Sequence, residues 1–179
     1  LREATDQLLG VLTDMRQAVN PEKNLPINPV PFVPADLAES IRNTFEMQAQ
    51  ASGITIRLRF GEGANEMVLA DSVRIKQILG NLIRNAIIHS RCSAITVTYR
   101  SSIGDNLNDR TGVWSITDNG IGIAAEEVER LFQPFQRGGE DARNRADGSG
   151  LGLYIVRTTA QLLGGSVTYF PAPEGGAGY

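Results

Sequence analysis

The chain has 179 residues, 41% hydrophobic and 21% charged, with a formal net charge of −3. That composition suits a globular domain with a sizeable core and argues against general binding to nucleic acid or an anionic membrane. One cysteine, Cys92, and one histidine, His89, exclude an internal disulfide and a zinc-type cluster.

No run is apolar for long enough to cross a bilayer. The opening stretch LREATDQLLG carries charge and lacks the apolar core of a signal peptide. A reducing cytoplasm is the expected location. With no initiator Met and an abrupt close at PEGGAGY, the sequence reads as part of a longer protein that could carry a membrane anchor elsewhere.

In chain order, Leu1, Thr5, Leu8, Leu12, Met15 and Val19 alternate spacings of four and three. This is either a short coiled-coil seam or an amphipathic helix packed on its own domain. The proline-rich NPEKNLPINPVPFVP is a linker or extended segment. PADLAESIRNTFEMQAQASG predicts a helix with Leu37, Ile41, Phe45 and Gln48 on one face, ended by Gly53. ITIRLRF alternates as a half-buried strand, GEGANE is a turn, and MVLA is a short strand. DSVRIKQILGNLIRNAIIHS carries the clearest helical period, through Ile75, Ile78, Leu79, Leu82, Ile83, Ala86 and Ile87, with Asp71 placed to cap it. AITVTYR and GVWSIT are strands on either side of the polar loop SSIGDNLNDRT. AAEEVERLF is a short helix, QRGGEDARNRADGSG a polar loop, residues 151–163 a helix, and GGSVTYF a last strand. Strands and helices mix without strict βα alternation, which predicts an α/β sandwich with a mixed sheet and helices on one face.

Four stretches carry chemistry. Gln77, Asn81, Asn85 and His89 fall four apart, a polar stripe beside the apolar one. A carboxamide oxygen there can ligate a hard cation such as Mg²⁺, or the stripe is a solvated helix edge. Asp118 ends an apolar strand and is followed by Gly120 and Gly122. A hairpin would read this way, but the residues that follow become a helix. That leaves the carboxylate free to accept from an amine. DGSGLGL places Gly148, Gly150 and Gly152 at a helix entrance, either as disordered chain or as exposed amides suited to phosphate. LFQPF brackets Pro134 with Phe132 and Phe135, a hydrophobic anchor at a helix end.

In this order the four stretches form a set. The chain resembles the ATP-binding catalytic domain of two-component sensor histidine kinases, in the superfamily that includes DNA gyrase, Hsp90 and MutL. NLIRNAIIHS resembles the N box, DNGIG the G1 box, LFQPF the F box and GSGLGL the G2 box. The resemblance covers about residues 25–179. It implies a Bergerat-type two-layer α/β sandwich with ATP between the N-box helix and a flexible lid. It implies that Asn85 ligates Mg²⁺ on the ATP phosphates, with Asn81 near phosphates and metal, and that Asp118 accepts from the adenine amino group. It further implies that Gly120, Gly122 and Ile123 shape the nucleotide pocket, that His89 lines it, and that the amides around Gly148, Ser149, Gly150, Leu151 and Gly152 approach the phosphates. It implies a lid at residues 136–147 with Phe132 and Phe135 at its base, and makes residues 1–24 the expected tail of a dimerization helix and its linker. The expected ligands are ATP or ADP with Mg²⁺. The expected partners are the dimerization domain of the same parent chain and a response regulator, within a homodimeric, membrane-anchored parent whose catalytic domain lies in the cytoplasm.

The chain departs from the family at Ile88 and His89, where many members carry Lys and then Tyr. Arg91, or an arginine of the lid (Arg137, Arg143, Arg145), could replace the lysine. The phosphoacceptor histidine of the family sits on another helix and is absent here. The expected activity is therefore that of a protein-histidine kinase domain acting on an acceptor supplied in trans. ATP hydrolases of the superfamily typically carry Glu where this chain has Asn81, and a carboxamide is not a general base. The same point weighs against a serine kinase of the anti-sigma-factor type. A degenerate domain acting through protein contacts is the remaining alternative.

Overall fold

A computed structural model of the chain describes residues 26–103, 110–135 and 150–179. The seam at 1–19 and the lid at 136–147 lie outside the described residues. The described chain falls into two compact units, one of residues 28–122 with 168–179, the other containing 123–167.

In the first unit, β1 (Val30–Phe32) pairs antiparallel with β3 (Val68–Ala70) as a separate ribbon. The five-stranded mixed sheet has the order β2 (Thr55–Phe60), β4 (Ala94–Ile103), β5 (Arg110–Asp118), β7 (Ala177–Gly178), β6 (Phe170–Pro171). β2 runs parallel to β4, and the other pairs are antiparallel. The register makes rows across the sheet: Ile56–Ile95–Asp118, Leu58–Val97–Ile116 and Phe60–Tyr99–Trp114. Side chains alternate between faces, so these rows share one face. Ile56, Ile95, Val97, Tyr99 and Ile116 are buried, and the Tyr99 and Trp114 rings meet at 4.7 Å. Helices α1 (Pro34–Ala51) and α2 (Ser72–His89) pack on the sheet and on each other. The rows on the other face are polar: Arg57–Thr96–Thr117 and Arg59–Thr98–Ser115. This is the expected two-layer α/β arrangement.

Each helix end has a local cause. Pro34 stands in the first turn of α1, where its missing N–H costs nothing, and Ala35 N donates to Ala64 O at 2.9 Å. α1 closes in a Schellman motif, with Gly53 at φ +71°, Gly53 N donating to Gln50 O and Ile54 N to Ala49 O. Ala49, and not the exposed Gln48, continues its buried stripe. α2 buries Leu79, Leu82, Ile83 and Ala86.

In the second unit, α3 (Ala125–Val128) is shorter than the sequence suggests. Beyond it the bonds are of the i to i−3 type, as Arg130 N to Glu127 O and Leu131 N to Val128 O. Pro134 disfavours helical backbone at Gln133, so the segment ends in tight turns. α4 (Gly152–Leu162) buries Ile155, Val156, Thr159 and Ala160. It ends in a second Schellman motif, with Gly164 at φ +77° and Gly165 N bonded to Ala160 O.

Two strand expectations need correction. The polar stretch SSIGDNLNDRT is not all loop: Ser101–Ile103 and Arg110–Thr111 extend the β4–β5 ladder. Of GGSVTYF, only Phe170 enters a strand. Residues 165–169 have no regular structure, and the last pairing comes from Phe170–Pro171 and Ala177–Gly178.

Asp71 ties the segment before β1 to the start of α2. Its Oδ1 accepts from Arg74 N at 3.1 Å, capping α2, and its Oδ2 accepts from Asn28 N at 3.1 Å and Arg74 Nε at 3.2 Å. Burial alone would raise its pKa. The two backbone donors and the Arg74 guanidinium outweigh burial and hold the carboxyl below its ordinary value. Asp71→Ala is expected to cost about 1–2 kcal/mol in chemical denaturation at neutral pH. Because the folded pKa is the lower one, Asp71 stabilises the fold above the ordinary carboxylate range. The cost of the substitution should vanish as acid protonates the group in the folded state.

Candidate functional site

The first unit builds its site at the C-terminal ends of α2 and β5. Gln77, Asn81 and Asn85 are partly exposed along α2, beside its buried stripe, and His89 is exposed in its last turn. α2 packs on β5, so the asparagine stripe and Asp118 belong to one framework. Ser90 ends the helix. Its Oγ donates to Ala86 O at 2.7 Å, and its carbonyl accepts from Ile121 N at 2.9 Å. Arg91 follows at φ +54°, a left-handed position more often held by glycine.

Asp118 is buried, with 7% of its surface exposed. Its Oδ1 accepts from Gly120 N at 2.8 Å and Ala177 N at 3.3 Å. Both bonds fall on the same oxygen. Burial pushes the carboxyl up from its ordinary value, and these two amides pull it only part of the way back. Asn119 turns the other way and clamps the α2–β4 connection. Its Oδ1 accepts from Ser93 N at 3.0 Å and Ala94 N at 2.9 Å, and its Nδ2 donates to Ser93 Oγ at 3.0 Å.

Glycine is required at two places around this carboxylate. A Cβ at Gly120 would overlap the Ser90 carbonyl, and one at Gly176 would overlap the Asp118 backbone oxygen. Gly176 also sits at φ +81°. Sequence reasoning found Gly120 and Gly122 but missed Gly176, Ala177, Asn119 and Ser90. The tight pair Gly175–Gly176 was the available signal. Cys92 is buried, and its thiol is pushed up by burial and by the Asp118 charge. That describes a packing residue and not a nucleophile.

The second unit carries the other expected residues. Ile123 and Phe132 are partly exposed. Phe135 does not act as a buried anchor: it is 64% exposed and stands at φ +62°. Its backbone does the joining, with Phe135 N donating to Gly150 O at 3.0 Å. Gly150 has φ +69°, and Leu151 is fully buried at the N-cap of α4. Where α2 is capped by Asp71 and α1 starts on Pro34, α4 has no capping side chain and no acid in its first turn. A helix start without a capping side chain is a setting that favours an anion. Gly148 and Ser149, with Arg137, Arg143 and Arg145, lie outside the described residues.

The profile of the family described as histidine kinase-, DNA gyrase B-, and HSP90-like ATPase matches residues 70–179. The chain belongs to that family. Its boxes are those of the ATP-binding catalytic domain of two-component histidine kinases. It is similar to Two-component system protein A of Emericella nidulans, 38% identical over 105 residues, which is 58% of this chain and 15% of that protein. It is 28% identical to the autoinducer 2 sensor kinase/phosphatase LuxQ of Vibrio parahaemolyticus over 168 residues, 93% of this chain and 20% of that protein. The chain thus spans about a fifth or less of these relatives. Its fold matches ShkA crystallised full-length with AMPPNP at a TM-score of 0.78 and 24% identity, covering 99% of this chain and 35% of that one. Asn81, Asn85 and Asp118 all fall within the matched residues.

Gly120→Ala is expected to destabilise the fold by about 2 kcal/mol or more in denaturant titration, since a side chain there must displace the Ser90 backbone. Asp118→Asn should have the opposite effect in the absence of ligand. The raised folded pKa means that ionised Asp118 costs stability, increasingly so as pH rises from the ordinary carboxylate range through the folded value. The variant should melt above the parent at pH 7, and the gap should close in acid.

Proposed function

We propose that this domain binds MgATP and donates the γ-phosphoryl group to a histidine on a separate dimerization domain. The observation that carries the reading is Asp118. It is a buried carboxylate at a strand end, held by two amides on Oδ1 and walled by residues that exclude side chains. Oδ2 is then the acceptor for the adenine amino group, and a buried charge-assisted hydrogen bond of this kind discriminates a base that carries an amine.

Asn81 and Asn85 face the phosphate end, with Asn85 as metal ligand. Among the described residues there is no cluster of three or more His, Cys, Asp or Glu suited to a metal. That fits Mg²⁺, which is held largely by water and substrate phosphates and needs few protein ligands. When bound, Mg²⁺ would neutralise phosphate charge. The family resemblance assigns the amides around Gly148, Ser149, Gly150, Leu151 and Gly152 to the phosphates, and Ile123, Phe132 and His89 to further nucleotide contacts. An acceptor imidazole nitrogen attacks the γ-phosphorus with its own lone pair. The bond to the bridging oxygen breaks and ADP leaves. Nothing in this transfer asks the protein for a general base, which suits a carboxamide at Asn81. The division at residue 24, the response-regulator partner, and a homodimeric, membrane-anchored parent belong to the same proposal. Among the described residues, no helix is long and apolar enough to cross a membrane.

One observation favours a second reading. Ile88, partly buried near the end of α2, supplies no phosphate-contacting cation, as in a domain that works through protein contacts.

Calorimetric titration separates the two. The parent should bind MgATP, and Asp118→Asn should weaken that binding about 10- to 100-fold, the worth of a hydrogen bond to a charged group. Added dimerization domain should then acquire an acid-labile phosphate. A folded parent that does not bind MgATP moves the assignment to the second reading.

A further inference from the structure

β2 is an end strand of the sheet, and its outer edge has no strand partner among the described residues. The parallel register determines which groups are free. Thr55 N donates to Ser93 O at 3.0 Å and Gly61 N to Tyr99 O at 2.8 Å. The odd-numbered residues therefore turn both backbone groups toward β4. Ile56, Leu58 and Phe60 direct their N–H and C=O groups outward.

The side chains impose a selection on what can pair there. Thr55, Arg57 and Arg59 are exposed on the open face of the sheet. Arg100 of β4 is exposed there too, next to Gly61. The neighbouring positions are hydroxyls: Thr96, Thr98, Ser115 and Thr117. None of these residues is acidic, and neither the Arg42–Glu39 pair nor the Arg74–Asp71 pair uses these arginines. A cationic strip on a chain of net charge −3 is a local feature with its own complement. The opposite face of β2 is apolar, and Phe60 is 43% exposed at its end.

We propose that β2 is a docking edge for an extended acidic segment of a partner protein. The segment adds as a sixth strand, with carboxylates on the Arg57–Arg59 face and apolar side chains beside Ile56, Leu58 and Phe60. Main-chain bonds give affinity in such an addition, and alternate side chains give specificity. A second copy of β2 is a poor occupant, because it sets arginine against arginine. A nucleic-acid strand is disfavoured because the arginine face offers no aromatic ring for a base to stack on. This inference stands apart from the nucleotide reading, since it uses neither Asp118 nor the asparagines.

The test is a fluorescence titration of the whole chain with a labelled peptide, acetyl-Glu-Val-Glu-Val-Glu-amide, followed by amide hydrogen exchange on the complex. Saturable binding is expected, weakened about tenfold or more by the double substitution Arg57→Glu and Arg59→Glu. Slower exchange is expected at Ile56, Leu58 and Phe60. Both arginines are exposed, so the melting temperature and MgATP titration of the double variant should match the parent. An Arg57→Ala, Arg59→Ala variant repeats the comparison if charge reversal perturbs the fold. The proposal is overturned by equal binding of the block isomer Glu-Glu-Glu-Val-Val, by indifference to both variants, by unchanged exchange along β2, or by tighter binding of an oligothymidylate at the same salt. Absence of saturation up to roughly 1 mM peptide also overturns it.

Discussion

The hydrogen bond from Ile121 N to the Ser90 carbonyl is the constraint on which the first unit is organised. It holds the exit of β5 against the end of α2, and it forms only because Gly120 has no side chain to occupy the same space. Asn119 secures the same junction by taking both amides of Ser93 and Ala94. With those two connections made, Asp118 has little freedom. Its Oδ1 meets Gly120 N from its own turn and Ala177 N from β7. A carboxylate held this way is desolvated before any ligand arrives, so its cost lies in the fold and is not incurred during binding.

That arrangement also explains why β7 exists. Ala177–Gly178 has little strand propensity, and the pairing is made by its partners. Ile116 and Tyr179 exchange backbone bonds at 3.0 Å each, and the Tyr179 ring meets that of Tyr169. Burial and the charge on Asp118 together push the Tyr179 hydroxyl upward in pKa. Tertiary context makes this strand, and for the same reason the sequence could not reveal it. The alternation in GGSVTYF suggests a strand, yet Gly164 is used to end α4.

What could be read in advance follows the range of the forces involved. The period of α2 and the alternation of β2 and β4 are local, and they were legible. So was the strand end at Asp118, because an apolar run followed by two glycines is a local pattern. Gly176 was not, since its need for a missing side chain arises from backbone 58 residues earlier. Phe135 shows the limit from another side. Its aromatic character suggests an anchor, but the structure uses its backbone, in a left-handed conformation unusual for a bulky residue. The expected contacts of Gly148 and Ser149 fall outside the described residues.

The sheet separates two kinds of chemistry. The row Ile56–Ile95–Asp118 runs from the free edge to the buried carboxylate across two strand spacings, about 10 Å. On its helix-covered side the problem is to keep one carboxylate dry and aimed. On its open side the arginines remain solvated, and their reach is set by salt screening over a similar distance. Charge changes at Arg57 and Arg59 therefore act on a different face, in a different dielectric, from changes at Asp118. Nucleotide affinity and edge recognition should respond to separate substitutions, and loss of one would not entail loss of the other. A β2 occupant could still influence Asp118 mechanically, because strand order joins them through β4. That coupling would have to travel through the packed pairs Ile56–Ile95 and Val97–Ile116, which are buried and have little room to adjust.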